Sequence, residues 1–93
     1  MIKEVNYFSN DEIYVSPGSY SYMLCDLPSD EFRVVFDNIE KLKHILNAVR
    51  SSLGCPIYIN SWLRTPTHNI EVGGVSNSHH LTGAACDIRC LHL

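Results

Sequence analysis

From Asp30 to Leu53 the chain carries an apolar residue every three or four positions: Phe32, Val35, Ile39, Leu42, Leu46, Val49 and Leu53. That spacing follows the turn of an α-helix, so these side chains form one continuous stripe. Ser29 is placed to cap the start, and Asp30 and Glu31 bring negative charge to the positive end of the helix dipole. Gly54 stands where a left-handed residue closes a helix, and Pro56 confirms the break. His44 falls roughly opposite the stripe, on the solvent side. A chain of 93 residues forms one domain, near the size at which a single core is only just adequate. This helix is therefore its core element.

The remaining segments are shorter. Ser9 followed by Glu12 is a capping-box pattern, so a single helical turn is expected to start near Asn10. Ser16-Pro17-Gly18-Ser19 reads as a turn, and Tyr20 to Asp30 as irregular chain anchored by its aromatic residues. After Pro56, Ile57 to Asn60 has strand composition and alternates in polarity. Thr65-Pro66 resembles a cap followed by proline at the first helical position, and Gly73-Gly74 limits that helix to a short one. Ala84 to Cys90 reads as a second strand, with Cys86, Ile88 and Cys90 on one face and Ala85, Asp87 and Arg89 on the other. The expected fold class is α+β, one long helix packed on a small, mostly antiparallel sheet, in a single domain spanning residues 1–93.

Charge and composition exclude several functions. Hydrophobic residues make up 45% and charged residues 18%, a globular balance. A net charge of −3, with the Lys and Arg residues scattered from Lys3 to Arg89, supplies no basic surface for nucleic acid. The N-terminus lacks the apolar core of a signal peptide, and no stretch approaches the length of a membrane span. Cytoplasmic synthesis is the expectation, with Cys25, Cys55, Cys86 and Cys90 expected as thiols or metal ligands rather than disulfides.

The chemistry concentrates near the end of the chain. Ser78, His80, Gly83, Ala85 and Asp87 match the S-x-H-x-x-G-x-A-x-D signature of the zinc D-alanyl-D-alanine carboxypeptidases, which share a fold with phage endolysins and the hedgehog signalling domain. Further blocks stand in the same order. Ser61-Trp62-Leu63-Arg64-Thr65 resembles the family's S-G-Y-R-S, and Asn69 with Val72-Gly73-Gly74-Val75 is similar to its N-x-x-V-G-G. Phe8-Ser9-x-x-Glu12-Ile13 is similar to the F-T-x-x-E-L opening of the phage-associated branch. Together the blocks cover nearly the whole chain.

The resemblance implies a hedgehog/DD-peptidase-like fold and a zinc metallopeptidase acting on peptidoglycan stem peptides of the cell wall. A phage or prophage lysis protein, released to the wall with the help of a holin, is the implied setting. His80 and Asp87 would be zinc ligands, brought together by a turn at Gly83. Ser78, Gly83 and Ala85 would shape the loop. Arg64 would steady the substrate's carbonyl or carboxylate as charge develops. A catalytic zinc takes three protein ligands and keeps one position for water, which a glutamate deprotonates in this family.

The family draws that glutamate and its third ligand, a histidine, from a later segment. This chain ends six residues after Asp87, so it is expected to lack that segment and to leave a strand edge exposed. His92 falls on the strand face opposite Asp87 and reaches a shared ion only if the strand breaks at Cys90. His79 points away from its neighbour His80 in extended chain, and His68 reads as a solvated turn residue. Residues four apart on a strand lie roughly 13 Å apart, so Cys86 and Cys90 share neither ion nor disulfide and read as small buried hydrophobes. Cys25 and Cys55 show no partner pattern. Trp62, where the family has glycine, either shifts the rim of the cleft or covers exposed core. The rival readings are an inactive relative that binds metal or wall peptide, and an inactive truncated product.

Overall fold

The structure is a computed structural model and describes residues 6–90. The short helix α1 (Asn10–Ile13) opens with the reciprocal capping box that Ser9 and Glu12 promised. It places Ile13 in the core. Next comes α2 (Ser19–Ser21), which runs directly into a π-helical turn over Tyr22–Asp26. This corrects the expectation of irregular chain. Leu27 N–H donates to the Tyr22 carbonyl at 3.2 Å and closes the wide turn, while Met23 is buried beneath it. Serine and tyrosine carry no helical period, so burial of Met23 and of Ser19 fixes this segment rather than local propensity.

The long helix α3 spans Ser29–Leu53. Pro28, not Ser29, occupies its cap position, and no side chain caps it. Gly54 closes it with φ of 67°, the left-handed geometry expected of that glycine. The stripe is buried only in its middle. Val35, Ile39 and Leu46 are core, Phe32 and Leu42 are packed at its margin, and Val49 and Leu53 are 39% and 54% exposed. At 25 residues, a rod of roughly 37 Å, α3 runs on past the buried cluster, whose last member on it is Leu46. The last turns of α3 overhang the core. Asn47 is buried instead, its Oδ1 accepting from the Tyr7 N–H at 3.0 Å and tying down the N-terminal segment.

Strand β1 (Ile57–Ser61) pairs antiparallel with β2 (Asp87–Cys90) as a two-stranded sheet. The fold is thus α+β, with the antiparallel sheet expected. Two boundaries move. β1 runs one residue further than Asn60, and β2 starts at Asp87 rather than Ala84. Register runs Ile57↔Cys90, Tyr58↔Arg89 and Ile59↔Ile88, then slips so that Ser61 opposes Asp87. Such a bulge re-aims the side chains at the end of a strand. Ile57 and Ile59 face the core, joined by Trp62 and Leu63, which are fully buried. Trp62 therefore sits in the core and not on the rim of a cleft. Its indole N–H donates to the Gly83 carbonyl at 3.0 Å, satisfying the one polar atom it buries. Among the described residues, no helix is long and apolar enough to cross a membrane.

Candidate functional site

The bulged end of the sheet is where the motif residues meet. Chain leaving β1 passes through Trp62 and Leu63 to Arg64, then enters α4 (Pro66–Glu71). Thr65 caps α4 by accepting from the His68 N–H at 3.0 Å, and Pro66 is its first residue, as the sequence indicated. The chain returns through a 3-10 turn, His79–Thr82, before β2. Ser78 Oγ accepts from the His80 N–H at 3.2 Å and starts that turn.

Gly83 ends the turn with φ of 73°. A Cβ there would lie 2.8 Å from Cγ1 of Ile39, so the turn rests its backbone directly on α3. The Arg64 N–H donates to the His80 carbonyl at 2.9 Å and joins the outgoing and returning chains. His80 and Arg64 thus hang from a bracket fixed to the core on one side and to the sheet on the other.

His80 is buried, its side chain only 11% exposed. Its Nδ1 lies 2.7 Å from the Trp62 carbonyl, which can only accept, so Nδ1 carries the proton. In the neutral ring the lone pair is then on Nε2, which faces Asp87 Oδ2 at 3.5 Å. Asp87 is the outward member of the group, its side chain 57% exposed. The same Oδ2 accepts from Arg64 Nη2 at 3.2 Å.

Each nitrogen of the Arg64 guanidinium has a partner. Nε donates to Ser61 Oγ at 3.2 Å, Nη1 to Asn69 Oδ1 at 3.3 Å, and Nη2 to Asp87. Two of its five N–H groups remain to meet a ligand, in a plane the other three hold fixed. Asn69 is buried and also donates to the Val75 carbonyl at 2.9 Å. A Cβ at Gly74 would collide with the Asn69 side chain, which explains a glycine there without any appeal to φ.

The structure thus brings together Arg64, His80 and Asp87, and gives Ser78 and Gly83 concrete supporting roles. Ala85 lies half-buried on the approach to β2. Sequence reasoning missed three supports: Ser61, Asn69 and the Trp62 carbonyl. The first two belong to the blocks that flank Arg64, but a backbone carbonyl leaves no mark in a sequence. The Nε2–Oδ2 separation suits a shared ion, because two atoms bound at roughly 2.0–2.2 Å to one tetrahedral zinc lie about 3.3–3.6 Å apart. Among the described residues, no three His, Cys, Asp or Glu side chains converge to hold a metal.

The other candidates stand apart. His79 is exposed. His68 Nδ1 is buried without a hydrogen bond, 3.6 Å from Glu71. Burial, and then the Asp87 charge, push the Cys86 thiol up to about 11. Cys90 is exposed, against the expectation of burial, and Cys55 has a partner after all: their sulfurs are 3.0 Å apart. His92 lies outside the described residues. A cavity of about 470 Å³, walled by Tyr22, Leu27, Val34, Pro66 and Leu81, lies beside the cluster without including it.

Comparison with curated proteins and with solved structures gives no match. The family model described as Peptidase M15 matches residues 6–92, a span that takes in the helix, both strands and every residue of the cluster. The chain belongs to the M15 peptidases, the family of the zinc D-alanyl-D-alanine carboxypeptidases.

Proposed function

We propose that the protein is a zinc-dependent peptidase that cleaves peptidoglycan stem peptides, as a D-Ala-D-Ala carboxypeptidase or a related endopeptidase. In this reading His80 Nε2 and Asp87 Oδ2 are metal ligands and Arg64 orients the substrate. The observation that carries it is the pairing of those two atoms at 3.5 Å, with Trp62 fixing the histidine tautomer that leaves Nε2 free to bind. Zinc held there supplies a Lewis acid for the scissile carbonyl and an acidified water.

The protein's own groups do the rest. The hydrogen bond from Nδ1 keeps the imidazole from rotating. Ser61 and Asn69 fix the orientation of the planar guanidinium, whose remaining N–H groups would donate to a substrate carboxylate or carbonyl oxygen. Asp87 links the two halves, since it touches both Arg64 and His80. A phage or prophage lysis protein, reaching the wall by holin-dependent release, is the setting we propose.

The test is zinc content together with D-alanine release from a stem pentapeptide. One bound zinc per chain and release of D-alanine are expected, and His80→Ala and Asp87→Ala should each lower metal affinity at least tenfold. Zinc-independent binding of wall fragments without release would make the protein a non-catalytic wall-binding relative. Failure to bind either zinc or wall fragments would mark an inactive product.

A further inference from the structure

Cys55 and Cys90 take no part in the cluster, yet they meet across the far end of the same sheet. Their Sγ atoms are 3.0 Å apart, and a disulfide needs an approach of only about 1 Å more, to roughly 2.05 Å. The backbone already holds the two together. Cys90 pairs with Ile57 in the ladder, and Cys55 precedes Ile57 by two residues at the entry to β1. The pair is also asymmetric, for Cys55 is buried and Cys90 exposed. Cys90 is therefore the member that a reagent from solution reaches first, while sharing a hydrogen bond with Cys90, and then burial, raise the Cys55 thiol above its ordinary pKa.

β2 has reason to need a staple. It is four residues long and exposed along its whole length, and it carries Asp87 at one end and Cys90 at the other. We propose that Cys55 and Cys90 form an oxidative modification site, whose disulfide pins β2 to β1 and thereby fixes the position of Asp87. The reaction is thiol–disulfide exchange with a small-molecule disulfide. The Cys90 thiolate attacks one sulfur of the reagent and expels its other half as a thiolate. The Cys55 sulfur then attacks Cys90, breaks the mixed disulfide and releases the second thiolate. The protein loses two electrons and two protons, and the reagent becomes two thiols. Any effect on metal binding rests on the proposed role of Asp87 as ligand. The link itself does not.

The full chain is incubated with oxidised glutathione and mapped by mass spectrometry, with Cys55→Ser and Cys90→Ser as controls. A Cys55–Cys90 link is expected, in preference to any link through Cys25 or Cys86. It should raise Tm by roughly 10 °C, reversibly on reduction, and slow amide exchange at Ile88 and Arg89 at least tenfold. A link through another pair would overturn the proposal, as would glutathione retained on Cys90 without closure, or unchanged exchange in β2. The readout involves neither zinc nor substrate, so an inactive protein with slowed exchange in β2 would refute the proposed activity and leave this site standing.

Discussion

Gly83 shows how much one residue settles here. Its φ of 73° suits glycine, and its missing side chain lets the His80 turn lie against Ile39 of the long helix. Gly83→Ala combines left-handed backbone strain with a steric clash and should cost about 2–4 kcal/mol, measurable as a lower urea midpoint. Cys86 gives a second prediction at this scale. Its folded pKa of about 11 lies above the ordinary 9.0, so the folded state holds the proton more tightly. Its contribution is complete below pH 9 and is lost as pH rises from 9 toward 11. Cys86→Ala should therefore lose less stability than the parent in denaturation midpoints measured across that window. The motif residues were legible because their types and spacing recur as a unit. Their supports were less so, since the group that orients His80 is the carbonyl of Trp62, an atom every residue possesses.

The long helix was legible almost to the residue, because a three-and-four repeat and a closing glycine are local signals. Its burial was not. Periodicity gives the inward direction but not how far the packed neighbours reach, and beyond Leu46 the stripe residues Val49 and Leu53 are left exposed. Leu46→Ala should cost about 2–5 kcal/mol, whereas Val49→Ala, at a position 39% exposed, should cost less than about 1 kcal/mol. Equal losses in thermal unfolding would show that the overhanging turns are covered in solution. The start of α4 was equally plain, since Thr65-Pro66 is a cap whose chemistry is complete within four residues. The helical turns over Ser19–Asp26 were missed for the opposite reason. Tertiary burial of Ser19 and Met23 holds them, and their composition carries no period. The contact between Cys55 and Cys90 likewise depends on sheet register, which neither cysteine's neighbours reveal.

For the whole molecule, the class was readable as one helix against an antiparallel pair, and membership in the M15 peptidases accords with it. What the sequence could not show is where the chain closes on itself. Ser61 pairs with Asp87, and Arg64, Asn69 and His80 all lie on the segment between them. The site is thus the interior of a loop, shut by a few ladder bonds at its base. Closing a loop of this length costs entropy before any of its contacts can repay it, whereas a helix such as α3 forms from neighbours. The cluster should be among the last parts to assemble during folding and the first to come apart. Native-state hydrogen exchange should accordingly find the amides of β2 and the His80 turn opening at lower free energy than those in the middle of α3. The order of events in time is then written into the order of residues along the chain: scaffold from local sequence, chemistry from distant sequence.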